Sequence, residues 1–208
     1  MRRVDRDNLP HMIDCMGRVI AKWWCKPWAL LATQWRGIEL GENCSFMGHP
    51  RLRRHPQSRI RIGSDCSFNS SRMSNLIGVN RPCMISTLRE GAEISIGSGC
   101  GFTGTVIGCA SRIAIGQRVR CGANTLITDT DWHTDDPRVG PDAPVTICSN
   151  VWLGVNVTVL KGVTIGEDTL VGAGSLVTHS LPAGVVAAGV PARIIREMSA
   201  GDRDAMHK

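Results

Sequence analysis

The stretch that decides the architecture runs from 144 to 197: PVTICSNVWLGVNVTVLKGVTIGEDTLVGAGSLVTHSLPAGVVAAGVPARIIRE. Val151, Val157, Val163, Thr169 and Ser175 fall six residues apart. Ile147, Leu153, Ile165 and Val171 form a second row on the same period, and Gly154, Gly166 and Gly172 each stand one residue after it. A six-residue period is neither the 3.6 of a helix nor the strict alternation of a strand. It suits a coil with three flat faces, each a short strand followed by a corner. Three such hexads close one turn. An aliphatic residue points into the prism, a small residue follows at the turn, and another small side chain fills the next inward site. Successive coils then stack ~4.8 Å apart, each strand pairing with the coils above and below.

Working toward the N-terminus, the pattern persists in a looser form. LGENCSF (40–46), IGSDCSF (62–68) and IGSGCGF (96–102) all read aliphatic-Gly-x-x-Cys-x-Phe, and IGQRVRC (115–121) keeps the opening. Cys44, Cys66 and Cys100 are therefore read as small buried hydrophobes, not as ligands or nucleophiles. The period is disturbed in 47–95, by HPRLRRHPQSRIR and NSSRMSNLIGVNRPC. The composition agrees with a narrow solenoid. The chain has 208 residues, 23 Gly, no Tyr and three Phe, so its core must rest on small and β-branched side chains.

Residues 1–37 carry no hexads and read as helix. Ile13, Met16, Val19, Ile20, Trp23 and Trp24 recur at helical spacing, with Arg18, Lys22 and Lys26 between them. Such a segment either caps the open end of a solenoid or lies on a membrane surface as a basic, Trp-rich amphipathic helix. The domain reading is a helical cap over 1–37, a solenoid over 38–190 with a loop at about 134–144, and an extension over 191–208 that ends in a short helix or polar tail. The nine cysteines are scattered singly with no CxxC pair, which argues against a zinc ribbon. Their odd number, without a visible secretory signal, fits reduced thiols in the cytoplasm. The net charge of +6 suits anionic partners. No aromatics interleave with the basic run RLRRHPQSRIR (51–61), so nucleic acid is not expected.

The chemistry concentrates in ITDTDWHTDDP (127–137). If 127–133 is a strand, Asp129, Asp131 and His133 project to one side. A carboxylate beside an imidazole fixes its tautomer and raises its basicity, as is needed to take a proton from an alcohol. Asp135 and Asp136 fall in the following Asp/Pro-rich stretch and read as loop residues.

With these features in place, the chain resembles the hexapeptide-repeat acyltransferases. It is similar to the maltose, galactoside and nodulation O-acetyltransferase group, and to polysaccharide-locus members with a DTDxH strand. The resemblance covers about residues 38–197. It implies a left-handed parallel β-helix, a homotrimer, and acetyl-CoA lying in a groove between subunits, with no metal. It also implies that His133 is the general base, with Asp131 or Asp129 orienting it or the acceptor. Trp152 matches the aromatic beside the pantetheine arm. Ala173 and Thr178 match groove-lining positions, and Arg193 and Arg196 match basic residues near the nucleotide. The backbone N–H groups around Gly154 and Val155 are candidates for the oxyanion. One position departs: Gly104 and Thr105 stand where the sugar-specific relatives carry an acceptor-binding Asn.

The expected function is acetyl transfer to a hydroxyl of a sugar or polysaccharide precursor. Two alternatives stand beside it: a zinc enzyme of the γ-carbonic-anhydrase kind, which needs three converging histidines, and a non-catalytic binding solenoid.

Overall fold

The computed structural model describes residues 8–133, 136–199 and 201–202. After helix α1 (Asn8–Trp35) the chain winds through strands that alternate among three sheets. The first face holds β1 (Glu39–Leu40), β4 (Arg59–Ile62), β7 (Glu93–Ile96), β10 (Arg112–Ile115), β13 (Val145–Ile147) and β16 (Thr164–Ile165). The second holds β2 (Ser45–Met47), β5 (Ser67–Asn69), β8 (Gly101–Thr103), β11 (Arg120–Cys121), β14 (Trp152–Leu153), β17 (Leu170–Val171), β19 (Val185–Gly189) and β20 (Ala192–Glu197). The third holds β3 (Arg51–Arg53), β6 (Met84–Thr87), β9 (Val106–Cys109), β12 (Leu126–Thr128), β15 (Thr158–Val159) and β18 (Leu176–Val177). All neighbours pair in parallel except β19 with β20. The three-faced coil is the one that the hexads imply, and it is the left-handed parallel β-helix that the resemblance implies.

In the late coils the repeat is strict: Thr146 pairs with Thr164, Trp152 with Leu170 and Thr158 with Leu176. Val159 completes the inward row of Ile147, Leu153, Ile165 and Val171. It is fully buried, in register with Ile127 and Val177. The early cysteines and phenylalanines also fall into rows. Phe46, Phe68 and Phe102 stack at centroid distances of 5.2 and 5.3 Å, forming a ladder inside the second face. The composition pointed to a core of small and β-branched side chains; the core is built mainly of these, and the three Phe add one aromatic row to the first coils. Cys121 and Leu153 take over that row, and its side chains become smaller toward Val171 and Ala187.

The corner between the first and second faces explains the Gly-x-x signature. Asn43, Asp65, Arg118, Asn150 and Asp168 all have φ between 53 and 59°, the left-handed region. Two residues earlier the coils approach closely. A Cβ on Gly116 would lie 2.6 Å from the Ser149 backbone nitrogen, so only glycine fits.

Two of the expected segments take a different form. PARIIRE (191–197) does not leave the solenoid as a helix; it doubles back as β20, antiparallel to β19. The expected break at 190/191 thus falls inside a hairpin. In α1, the small residues Cys25, Ala29 and Thr33 pack on the first coil, while Ile13, Met16, Val19, Ile20, Trp23 and Trp24 stay exposed. No helix among the described residues is long and apolar enough to cross a membrane.

Candidate active site

β12 ends at Thr128, so the assumed strand through His133 is not formed. The chain bends there, and Asp129 and Asp131 part company. Asp129 turns inward and is wholly buried. Its carboxylate accepts the Ala110 N–H at 2.6 Å and the Ser111 N–H at 2.8 Å, with the Cys109 Sγ at 3.4 Å. Its carbonyl accepts the Ala143 N–H at 3.0 Å, closing the base of the loop. Asp129 is thus a structural clamp: its oxygens are committed to backbone amides and do not contact the imidazole. Burial, together with this carboxylate, pushes the Cys109 thiol far above its ordinary range.

Asp131 turns outward. Its Oδ2 takes an ion pair from Lys161 Nζ at 2.6 Å, and the same ammonium donates to the Gly140 carbonyl at 2.8 Å. Lys161 stands just after β15, one coil further on, and ties both arms of the loop to the solenoid. Sequence reading missed it. The available signal was its place in the LKG corner (160–162), directly after the strand that pairs with β12.

The loop is anchored on its other side as well. Trp132, at φ 68°, lays its ring over β9; a Cβ on Gly108 would meet that ring at 2.5 Å. Asp142 pairs with Arg89 at 2.8 Å. Asp136 accepts the Arg138 N–H at 2.9 Å and its guanidinium at 2.8 Å, which holds this exposed carboxyl below the usual range. Asp135 lies outside the described residues. His133 is exposed on this braced loop, and among the described residues its ring makes no hydrogen bond. An unpaired, solvated imidazole is available to a substrate.

The other candidates divide between two corners. Trp152 is exposed on β14. Gly154 and Val155 follow it at the corner of the second and third faces, with Ala173 stacked on them. The Ala173 nitrogen lies 2.6 Å from a Gly154 Cβ position, and the Gly174 N–H donates to the Val155 carbonyl at 2.7 Å. Gly154 cannot serve the oxyanion, because its N–H is spent on the Val171 carbonyl at 2.8 Å. The Val155 N–H has no partner among the described residues and keeps that role open. Thr178 lies instead beyond β18, at the corner of the third and first faces that also carries Lys161 and the His133 loop. Its hydroxyl is 2.8 Å from His179 Nδ1. Arg193 and Arg196 sit on β20 at the end of the second sheet. Arg196 is paired with Asp202 at 2.7 Å, and Arg193 is exposed. The structure therefore joins Trp152, Val155 and Ala173 at one edge of the third face, and His133 and Thr178 at the other. It does not bring the two sets together within one chain.

Neither Gly104 nor Thr105 presents a polar group to an acceptor. Gly104 has φ 54° and is crowded by the Arg81 carbonyl and the Asn124 side chain, while Thr105 is buried. Among the described residues no three His, Cys, Asp or Glu side chains gather in a metal-binding group.

Residues 144–179 match the family described as bacterial transferase hexapeptide (six repeats). Over these residues the chain is similar to the hexapeptide-repeat transferases. The chain is 56% identical over 61 residues to the galactoside O-acetyltransferase of Escherichia coli K12, a match covering 29% of each chain. The chain spans about half or less of the length of the curated relatives it matches. Among solved structures, the polysialic acid O-acetyltransferase OatWY superposes with a TM-score of 0.62 at 25% identity, over 77% of this chain and 74% of that one. A mutant of AntD, an N-acyltransferase from Bacillus cereus in complex with an amino-deoxy sugar nucleotide and coenzyme A, gives 0.62 at 18% identity, over 86% and 93%. At that identity the likeness concerns the fold.

Proposed function

We propose that this hexapeptide-repeat protein is an acetyl-CoA-dependent O-acetyltransferase acting on a hydroxyl of a sugar or polysaccharide precursor in the cytoplasm. The observation that carries the reading is the pair of half-sites along the third face. One edge offers an exposed imidazole on a braced loop. The other offers an exposed indole, an unpaired amide at Val155 and the small residue Ala173. When two copies meet edge to edge in a trimer, these halves form one groove. The relatives support the chemistry, since both named O-acetyltransferases act on saccharides and the AntD structure holds coenzyme A.

In this mechanism His133 takes the proton of the acceptor hydroxyl, and the oxygen attacks the thioester carbonyl. Negative charge develops on that carbonyl oxygen, and the Val155 N–H is placed to receive it. The C–S bond then breaks, and the imidazolium returns its proton to the departing sulfur. The long, thin pantetheine arm lies against Trp152 and Ala173, where a larger side chain would block it. Arg193 suits a phosphate at the nucleotide end. Asp131 acts through the loop: by holding Lys161 it fixes the position of His133 without touching the ring.

Release of thiol from acetyl-CoA, measured across a panel of saccharide acceptors, tests the reading. His133→Ala should lower turnover ~10²–10⁴-fold in a folded protein, the usual contribution of a general base. Turnover within a few-fold of the parent would overturn the assignment.

A further inference from the structure

Helix α1 is mounted inside out. A helix that covers a core normally turns its large apolar residues inward. Here Cys25, Ala29 and Thr33 face the first coil. The large side chains point to solvent, with Trp23, Trp24 and Trp35 at 77, 78 and 88% exposure and Ile13, Met16 and Leu31 also exposed. At about 100° per residue, the exposed apolar positions from Leu9 to Trp35 cover roughly half the circumference of the helix. Trp23, Trp24, Pro27, Trp28 and Leu31 line a shallow apolar depression at its middle.

A face of this size needs a partner, and three features favour a lipid surface over another copy of the helix. The first is width. A coiled-coil seam is a narrow line of a and d residues, usually Leu, Ile or Val. This face spans about twice the width of an ordinary core-facing stripe and is dominated by indoles, which favour the boundary between hydrocarbon and headgroups. The second is charge. Residues 1–36 contain seven Lys or Arg against three Asp, with no Glu. Arg51 and Arg53 are exposed on β3, in the coil that the helix covers. The third is placement: the buried coil contact is made by the small-residue stripe, with Trp28 reaching His49 at the edge, so most of the apolar face lies exposed along the 28-residue helix.

We propose that the outer face of α1 docks on an anionic phospholipid surface, indoles in the interface and basic side chains against the headgroups. The helix lies in the plane of the surface and does not cross it. This goes beyond the acetyl-transfer reading and does not depend on it.

The test is sedimentation of the full chain with vesicles of phosphatidylcholine, alone or mixed with phosphatidylglycerol, alongside tryptophan emission. The protein should pellet with the mixed vesicles with a blue-shifted emission, bind phosphatidylcholine alone at least ~tenfold more weakly, and be released by salt. Trp23→Ser with Trp24→Ser should lower partitioning at least ~tenfold. Both side chains are exposed, so circular dichroism and thiol release with a soluble acceptor should stay at the parent's level. Failure to pellet with mixed vesicles overturns the proposal. So does equal binding to both vesicle types. A fall in sedimentation-equilibrium mass on making the double substitution, without vesicle binding by the parent, assigns the face to a second copy instead.

Discussion

A carboxylate at zero exposure is tolerated only when its oxygens are satisfied, and Asp129 meets that condition with the backbone of 110–111. Hydrogen bonds to a charged group contribute about 1.5–3 kcal/mol each, and their loss strands buried amides. Asp129→Ala should therefore destabilise the fold by about 3 kcal/mol, read as a lower denaturant midpoint at unchanged slope. Asp131→Asn should leave that midpoint nearly unchanged, because its pair with Lys161 is half exposed, and should lower turnover by loosening the His133 loop. Equal destabilisation by both substitutions would remove the distinction between clamp and tether. The two residues are two positions apart in TDTD, and the sequence makes them look equivalent. They differ because β12 ends one residue before Asp129, a bend enforced by tertiary hydrogen bonds that local spacing does not encode. The exposed place of His133 beside a loop, in contrast, follows from the hexads on either side and the Asp/Pro-rich stretch after it.

The coil repeats the same logic at every turn. Glycine after the inward aliphatic residue allows the next coil to approach, and a Cβ on Gly166 would lie 2.3 Å from the Ala183 backbone nitrogen. Gly166→Ala forces the last coils apart and should cost about 2 kcal/mol, in the range of overpacked cores, detected by chemical denaturation. The stacked cysteines give the element its own pH signature. The Cys66 thiol, hydrogen-bonded in the Cys44–Cys66–Cys100 row and buried, is pushed up from 9.0 to about 11. Between those values the unfolded chain has lost the proton that the folded chain keeps. The contribution of Cys66 is therefore intact below pH 9 and declines as the pH rises toward 11, while Cys100, lowered by its hydrogen bond with Cys66, acts in the opposite sense. Thermal unfolding scanned from pH 7 to 11 should show that decline, about where a Cys66→Ser variant shows a shallower one. The repeat itself was readable because its period is unlike that of helix or simple strand. The β19–β20 hairpin was not, since ARIIRE has no hexad and its pairing partner is set by the final coil.

At the scale of the molecule, the proposed division of the site between two edges of one face carries a consequence for how copies of the chain would cooperate. If each groove takes its imidazole edge from one copy and its Trp152–Val155–Ala173 edge from the next, two defective chains can restore each other. His133→Ala removes one edge. Ala173→Glu, at an exposed position, fills the other. Each variant alone should be nearly inactive. Refolded together in equal amounts, random cyclic trimers place an intact His133 edge against an intact Ala173 edge in about a quarter of their grooves, so about a quarter of the parent's turnover should return. No recovery in mixed trimers, verified as mixed by native mass spectrometry, would locate the whole site within one chain. That outcome would require the His133 loop to reach across the full width of the third face, which the Lys161, Gly108 and Arg89 contacts hold it from doing.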